Sequence, residues 1–287
     1  MDIDTFERYR PLLFSIAYRM VGTVTEAEDL VQEAFLRAHQ AATEIEQPKA
    51  YLTTILTRLC LNHLSAAQTQ RESYLGPWLP EPILTENRPE LVDPMEKSST
   101  LDSISIAFMI LLESLSPTER AVFILHEVFD YKYREIAEII GKREAACRQL
   151  FRRAKQHVVA NRSRFETDPV AHERLLQGFI EVAEAGDIEP FLQLLAEEVA
   201  LVPDGGGQRG AATRIVRGRE AVAAFIIGVR RLAPAKLNYE VVTLNGQQAI
   251  LARTPEGRPF FTVFIYGQTG QARLLHVVAG EKLRGLA

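Results

Sequence analysis

Cysteine is scarce in this chain, which has only Cys60 and Cys147 among its 287 residues. Neither belongs to a CxxC pair or to a spacing typical of zinc ligands, and the six histidines are scattered. Both cysteines fall on the apolar faces of predicted helices. This pattern excludes a disulfide framework and predicts reduced core thiols of the kind found in the cytoplasm, with no metal site and no cofactor.

Long hydrophobic runs are also missing. No uninterrupted apolar stretch approaches the roughly 18 residues of a membrane-spanning helix. The start, Met1-Asp2-Ile3-Asp4, has neither a basic n-region nor an apolar h-region, so no export signal is expected. The apolar content is an ordinary 47%. We therefore expect a soluble cytoplasmic protein of two or three domains that does not contact a membrane.

Positive charge is scarce overall but concentrated locally. The chain has 33 Lys+Arg against 37 Asp+Glu, yet residues 142–164 hold eight basic residues and a single acid, Glu144. If this segment is one helix, its buried stripe consists of Cys147, Leu150, Phe151, Ala154 and Val158. Long cationic side chains on the neighbouring face suit phosphates, and arginine also suits the guanine edge of a base pair. A solvated helix face is the alternative interpretation.

The residues before the basic segment favour nucleic-acid binding. Ser116-Pro117-Thr118-Glu119 is a capping box with proline at the first helical position, and the helix that it opens is predicted to run to about Val128. A second helix begins at Tyr133, and Gly141 is predicted to end it in the left-handed conformation. Helix, glycine turn and basic helix in this order predict a DNA-binding helix-turn-helix.

Residues 1–66 are predicted to be helical throughout. The first helix breaks at Gly22-Thr23, and Thr25-Glu26-Ala27-Glu28 starts the second with a capping box. On that second helix, Asp29, Gln32 and Glu33 form an outward polar cluster. Pro48 introduces a third helix, Lys49 to about Leu64, whose outer face is predicted to carry Thr53, Thr57, Arg58 and Asn62.

The segment from Ala27 to Ala38, Ala-Glu-Asp-Leu-Val-Gln-Glu-Ala-Phe-Leu-Arg-Ala, resembles the conserved region-two helix of bacterial sigma-70-type factors. With a helix-turn-helix placed after a linker, the chain is similar to an extracytoplasmic-function (ECF) sigma factor, a family defined by sigma domains two and four alone. The resemblance implies a transcription initiation factor without enzymatic activity. Its implied partners are core RNA polymerase, at the clamp and the flap, and promoter DNA.

The resemblance also implies roles for individual residues. Asp29, Gln32 and Glu33 would bind the polymerase clamp. The −10 strand would be bound by Lys49, Tyr51, Arg58 and Asn62, where Tyr51 holds the family's aromatic position and a core aromatic is the alternative interpretation. The −35 element would be bound by Lys142, Arg143, Arg148, Gln149, Arg152, Arg153 and Lys155.

The linker between the two sigma domains is rich in proline. Its five prolines are Pro77, Pro80, Pro82, Pro89 and Pro94, so an extended connector is predicted. The only tryptophan lies within it, in the run Trp78-Leu79-Pro80-Glu81-Pro82. A lone exposed tryptophan in a linker is unusual. We therefore expect Trp78 to dock on the tail near Asp204–Gly207, where absent side chains permit close approach.

The tail changes from helices to strands. Helices near Ala171–Ala185, Pro190–Leu195 and Arg219–Val229, with strands near 198–203, 237–244, 248–253, 260–266 and 274–279, predict an α+β cone with a curved sheet. This resembles the SnoaL-like fold, whose hollow interior houses small-molecule chemistry in some members and serves interaction in others. The predicted organisation is sigma domain two at 1–70, the linker at 71–97, sigma domain four at 98–165 and a SnoaL-like regulatory domain at 166–287.

Two motifs narrow the resemblance further. The Trp-Leu-Pro-Glu-Pro linker and the loop Asp204-Gly205-Gly206-Gly207 are similar to those of the SigJ-like subgroup, in which a fused C-terminal extension contacts the linker and sigma domains and regulates the factor. The subgroup's Asn-Pro-Asp-Lys-Leu motif is replaced here by Ala279-Gly280-Glu281-Lys282-Leu283, so only Lys282 and Leu283 match. Taken alone, the glycine run predicts a tight turn. A phosphate loop would need a following Lys-Ser/Thr, which is absent.

Two other functions are left open by the residues. The tail could be a SnoaL-type cyclase or isomerase, for which Asp204 and His276 are the candidate acid–base groups, although a turn former and a strand histidine are the simpler interpretations. The chain could instead be a ligand-sensing regulator that binds operators without polymerase. That reading leaves the Asp29–Arg37 segment and the third helix without a role. Whether the tail binds a small ligand is also left open.

Overall fold

The computed structural model describes residues 1–41, 45–71, 76–87, 104–162, 165, 167–185, 189–207, 212–233, 237–268 and 270–286. The predictions for Pro89, Pro94 and Arg164 lie outside these residues. The chain divides into two compact units. Unit one comprises Met1–Ser73 and Arg88–Asn161, and unit two comprises Tyr74–Asn87 and Arg162–Ala287. Each unit is described separately.

The N-terminal part of unit one is helical, as predicted. Its helices are α1 (Ile3–Val21), α2 (Val24–His39) and α3 (Pro48–Arg71). Gly22 ends α1 in the left-handed conformation, at φ 83°. The predicted capping box at Thr25 is wrong, because α2 begins at Val24 with Thr23 as its N-cap. The Thr23 hydroxyl donates to the Glu26 carboxylate at 2.5 Å instead of binding a backbone N–H.

The C-terminal part of unit one contains the predicted helix-turn-helix. Its elements are α4 (Ile106–Glu113), α5 (Pro117–Phe123) with a π-helical extension (Ile124–Val128), α6 (Tyr133–Ile140) and α7 (Glu144–Arg162). The capping box between Ser116 and Glu119 is present. Gly141 ends α6 with φ 67° and ψ 37°, so the left-handed turn into the basic helix is confirmed.

Helices from both parts of unit one pack against each other. The buried Arg120 of α5 donates to the carbonyls of Met20 and Leu112 at 2.6 and 2.8 Å and to the Glu113 carboxylate at 2.5 Å. Burial lowers the pKa of Arg120 to about 9. Because Met20 belongs to α1, this guanidinium joins the first helix to the α4–α5 region.

Helix α3 also packs on the helix-turn-helix region. The Thr53 and Tyr131 hydroxyls lie 3.0 Å apart, and both residues are buried. Thr57 is buried as well. The prediction that Thr53 and Thr57 lie on an outer face is therefore wrong, because α5 and α6 cover that side of α3.

Unit two is an α+β domain with a single sheet, and the predicted fold class is confirmed to that extent. Its helices are α8 (Pro169–Ala185), α9 (Glu189–Leu194) and α10 (Arg219–Leu232). Its strands are β1 (Leu195–Asp204), β2 (Val216–Arg217), β3 (Asn238–Leu244), β4 (Gln247–Arg253), β5 (Pro259–Gln268) and β6 (Gln271–Ala279). They form one sheet in the order β2-β1-β6-β5-β4-β3, in which β1 and β6 are parallel and all other neighbours are antiparallel.

One face of this sheet packs on the helices. The core cluster contains Leu175 and Phe179 of α8, Val222 of α10, and Leu201 and Leu275 from the sheet. Because strand side chains alternate between faces, His276 and its neighbours in register point to the opposite face. No helix among the described residues is long and apolar enough to cross a membrane.

Candidate nucleic-acid interface

The basic face of α7 is open to solvent. All seven residues predicted to read the −35 element are exposed: Lys142, Arg143, Arg148, Gln149, Arg152, Arg153 and Lys155. Cys147, Ala154 and Val158 are buried on the other side of the helix. The left-handed turn at Gly141 ends α6 and leads into α7. The exposed face of α7 is therefore the face that a helix-turn-helix offers to DNA.

The cations on this face differ in how they are held. Arg148 pairs with Glu144 one turn earlier, and its guanidinium lies 4.7 Å from the centroid of the Tyr133 ring. Arg153 pairs with Glu119 at 2.9 Å and Lys155 pairs with Glu127 at 3.0 Å. The cation of each pair is at least half exposed, so all three pairs are weak.

Gln149 and Arg152 differ from these three cations. Within the described chain, neither has an ion pair or a side-chain hydrogen bond, and both are exposed. Among the predicted −35 residues of α7, these two can therefore form hydrogen bonds to a base edge without first breaking an ion pair.

The four residues predicted to bind the −10 strand are all exposed on α3. The helical period places Tyr51, Arg58 and Asn62 on one side and Lys49 on the other. Tyr51 is 36% exposed, which makes the core-aromatic interpretation the weaker one, and Asn62 is exposed. The Lys49 ammonium lies 5.6 Å from the Tyr131 ring centroid. Arg58 donates from Nε to the Ile139 carbonyl at 2.9 Å and from Nη2 to the Glu138 carbonyl at 3.2 Å. Two of the four side chains therefore engage the helix-turn-helix region in this structure.

The polar cluster on α2 lies at the surface. Asp29 and Gln32 are exposed, and Glu33 accepts from Arg37 at 2.7 Å. Leu36 is 44% exposed, and its helical spacing places it beside Gln32 and Glu33. Sequence reasoning missed Leu36, although its spacing of three and four residues from Glu33 and Gln32 could have placed it on the outward face.

Asp204 joins the linker to the tail within unit two. Its Oδ2 accepts from the Leu79 backbone N–H at 2.6 Å and from the Lys282 ammonium at 2.6 Å, while its Oδ1 accepts from the Gly206 N–H at 2.9 Å. Lys282 also donates to the Leu79 carbonyl. The Asp204 side chain is completely buried and that of Lys282 is 11% exposed, so this is a buried ion pair.

The linker lies along the tail beyond this ion pair. Trp78 is half-buried, with its ring centroid 4.3 Å from the Lys282 ammonium. The four residues that follow it, Leu79, Pro80, Glu81 and Pro82, are buried. Ile83 then exchanges hydrogen bonds with Asn245, donating to Oδ1 at 2.8 Å and accepting from the backbone N–H at 2.9 Å.

The glycine run does not serve the linker in the way expected. Gly206 and Gly207 have φ of 70° and 74°, so they form a tight turn with Gly205. The atoms nearest to a Cβ added at Gly206 would be the Ala279 carbonyl, the Glu281 nitrogen and the Gly280 Cα. The close approach is therefore made by the segment that carries Lys282, and the linker reaches Asp204 through hydrogen bonds. Lys282 was recognised in the sequence only as a motif match.

The candidate acid–base groups lie away from the cavity of the tail. That cavity is lined from the sheet by Leu201, Val263 and Val277, whereas His276 points to the other face and Asp204 is held by the linker contacts. Burial lowers the pKa of His276 to about 3, and among the described residues its Nδ1 has no hydrogen-bond partner. The rings beside it are those of Phe165 and Tyr266.

Comparison with known proteins identifies both helical regions. The family Sigma-70 region 2 matches residues 5–70, and the family Sigma-70, region 4 matches residues 106–158. The ECF RNA polymerase sigma factor SigJ of Mycobacterium tuberculosis is 39% identical over 250 residues, which cover 86% of this chain and 80% of the relative. The probable ECF RNA polymerase sigma factor SigI of the same species is 31% identical over 276 residues, covering 95% and 88%.

A solved structure extends this similarity to the tail. The crystal structure of the Mycobacterium tuberculosis ECF sigma factor SigJ superposes with a TM-score of 0.71 at 33% identity, and covers 99% of both chains. The similarity therefore includes the α+β domain as well as the two helical regions. On this evidence the chain belongs to the ECF RNA polymerase sigma factors.

Proposed function

We propose that this chain directs promoter-specific initiation of transcription by binding core RNA polymerase through α2, the −10 strand through α3 and the −35 element through α7. The observation that carries the proposal is the basic face of α7, where Gln149 and Arg152 are exposed and unpaired in the described chain. The neighbouring cations Arg148, Arg153 and Lys155 each pair with a glutamate: Glu144, Glu119 and Glu127, respectively. Unpaired Arg and Gln are suited to base edges, and the paired cations are suited to phosphates.

Polymerase binding is what separates this function from that of a regulator acting on operators alone. A helix-turn-helix suffices for such a regulator, and nothing in that role requires Asp29, Gln32 and the partly exposed Leu36 on one face of α2. A partly exposed apolar side chain with polar residues around it has the arrangement of a small protein-binding surface, which has an apolar centre and a polar rim. We assign this surface to the polymerase clamp.

The tail takes a regulatory role in this proposal. Asp204 and Lys282 hold Leu79 and Trp78 of the linker, so the conformation of the linker depends on the tail. In an extended linker these residues would set the spacing between the two DNA-binding regions. Catalysis in the tail is disfavoured, because the lining of its cavity includes no carboxylate, imidazole or thiol from the described residues.

The experiment is a binding assay with core RNA polymerase. Replacing Asp29, Gln32 and Glu33 together with alanine should abolish binding without loss of helix content, since these side chains make few contacts within the chain. The matched control replaces Asp4 and Glu7, two exposed acids on α1, and should bind normally. Unchanged polymerase affinity in the triple variant would remove the proposed function.

A further inference from the structure

Three aromatic rings form a cluster at the surface of the helix-turn-helix. They belong to His126, in the π-helical extension of α5, to Tyr133, the first residue of α6, and to Phe151 of α7. The centroid of the His126 ring lies 4.1 Å from that of Tyr133 and 4.6 Å from that of Phe151. All three residues are only half-buried, so part of this aromatic cluster is open at the surface.

Two cations of the basic face of α7 lie over the aromatic cluster. The Arg148 guanidinium is 4.7 Å from the centroid of the Tyr133 ring, and the Lys155 ammonium is 5.4 Å from that of the Phe151 ring. Both distances fall within the roughly 6 Å at which a ring face attracts a cation. A guanidinium is planar and can stack on a ring while its N–H donors point outward from its edge, whereas an ammonium is a compact point charge. Arg148 is therefore the cation that the cluster can hold in one orientation.

Arg148 binds an anionic acceptor while it lies on the Tyr133 ring. Its Nη2 donates to the carboxylate of Glu144, one turn earlier on α7. The ring contact therefore leaves the edge of the guanidinium accessible to an oxyanion. The side chains of Arg148 and Glu144 are 60% and 44% exposed, so the pair is weak. A DNA phosphate, which also accepts charge-assisted hydrogen bonds from arginine, can take the place of this carboxylate.

The Tyr133 ring is itself held by its neighbours. The ring of His126 packs against it, and Nδ1 of His126 donates to the Tyr131 carbonyl at 2.9 Å, since a carbonyl can only accept. The backbone N–H of Tyr131 donates in turn to the Leu125 carbonyl at 2.9 Å. These contacts join the start of α6 to the π-helical extension of α5. Tyr133 is therefore a fixed support for the Arg148 side chain.

We propose that Tyr133 is a positioning residue for −35 binding: its ring holds the Arg148 guanidinium in the orientation in which it binds a phosphate of the promoter in place of Glu144. This inference rests on the proposed function, because it concerns the same face of α7. Binding DNA with a freely rotating arginine would cost rotamer entropy, and ordering one such side chain lowers affinity about threefold to tenfold. Stacking on Tyr133 removes this cost before DNA arrives.

The test titrates the full-length chain with two DNA duplexes, one carrying the −35 sequence that the parent chain selects from a random library and one with that sequence scrambled. Tyr133→Leu should weaken binding to both duplexes about threefold to tenfold, because a phosphate contact does not depend on sequence. Tyr133→Phe keeps the ring and should restore the parent affinity. Arg148→Lys keeps the charge and leaves the aromatic cluster intact, and it should also weaken binding about threefold or more.

A double-mutant cycle separates positioning from a general effect on packing. In the Arg148→Ala background, Tyr133→Leu should cause no further loss of affinity, because the side chain that it positions is gone. Arg143→Ala is the matched control: Arg143 is another exposed cation predicted to bind the −35 element, and its loss should add to that of Tyr133→Leu. Far-UV circular dichroism and Tm without DNA show whether each variant folds.

The possible outcomes distinguish this inference from the proposed function. Additive losses for Tyr133→Leu and Arg148→Ala, or parent affinity in the Tyr133→Leu or the Arg148→Lys protein, would overturn the positioning role and leave the proposed function intact. If the Tyr133→Leu protein did not fold, the Arg148→Lys measurement would still decide, because that variant does not alter the aromatic cluster. Failure of the parent chain to bind either duplex would overturn the inference together with the proposed function.

Discussion

The side-chain hydroxyls of Thr53 and Tyr131 lie 3.0 Å apart in a buried contact between α3 and the turn that precedes α6. Burial raises the pKa of Tyr131, so its hydroxyl stays protonated and can donate or accept. Arg58, five residues further along α3, donates to the carbonyls at the end of α6. In unit one, therefore, the helix proposed for the −10 strand is packed on the helix-turn-helix.

A double-mutant cycle tests this packing in solution. Tyr131→Phe and Thr53→Val each leave a buried hydroxyl without its partner, so each should lower the free energy of unfolding by about 1–3 kcal/mol. The double variant removes both hydroxyls, and we expect a coupling energy of about 1 kcal/mol by urea denaturation. Thr54→Val is the control, since the Thr54 hydroxyl bonds to Ala50 within its own helix and should not couple to Tyr131. A coupling near zero for Thr53 would show that α3 and the turn before α6 are apart in solution.

Local signals in the sequence predicted local structure. Ser116 and Glu119 cap α5, and Gly141 ends α6, because the groups involved are at most a few residues apart in the chain. Thr53 and Thr57 could not be placed in the same way. Their burial comes from helices more than fifty residues away in the sequence. The apolar periodicity of α3 therefore could not predict it.

In the candidate site, too, features set by nearby residues were predicted and features set by distant residues were not. The exposure of Arg152 and Gln149 follows from the helical period of α7, and it was predicted. The partners of Arg153 and Lys155 were not, because Glu119 and Glu127 come from other elements. Lys282 was recognised only as a motif match, and its contacts with Asp204 and Trp78 span 78 and 204 positions of sequence.

The cations of α7 are expected to divide between base reading and phosphate contact. Arg152→Ala should cost about 1–3 kcal/mol on the preferred promoter and relax preference at one −35 position. Lys155→Ala should weaken binding to all sequences alike and reduce the slope of log K against log salt by about 1. Competition binding of a −35 library at several salt concentrations measures both effects.

Glu127 provides the matched control for this division. Glu127→Gln removes the carboxylate that pairs with Lys155 at 3.0 Å, so binding should rise slightly for every sequence without a change in preference. Identical behaviour of the Arg152 and Lys155 variants would show that the two residues do not have separate tasks.

His276 should make the stability of the chain sensitive to acid. Its pKa is about 3 in the folded state, against 6.5 for an ordinary histidine. Between these values only the unfolded chain binds the extra proton, so the free energy of unfolding falls as the pH falls, by about 1.4 kcal/mol for each pH unit below 6. His276→Leu should remove this part of the dependence when urea unfolding is measured from pH 7 to pH 5.

His172 provides a comparison for this measurement. Burial also lowers the pKa of His172, which is half-buried, so His172→Leu should reduce the acid sensitivity less than His276→Leu does. If the His276→Leu protein lost stability on acidification as steeply as the parent protein, His276 would have to be accessible to protons in the folded state.

The buried ion pair between Asp204 and Lys282 is expected to hold the linker on the tail. Lys282→Met keeps the length of the side chain but leaves the Asp204 carboxylate buried without its cation, which should cost about 3–5 kcal/mol and release Leu79 and Trp78. Trp78 is the only tryptophan, so its emission reports this release directly and should shift to the red. Arg284→Met is the control, because Arg284 pairs with Glu281 at 2.6 Å in an exposed position and its loss should cost less than about 1 kcal/mol with no change in emission. Core polymerase affinity measured on the same samples then links linker release to regulation: a red shift with altered affinity in the Lys282→Met protein is expected, and unchanged emission would show that this ion pair does not hold the linker.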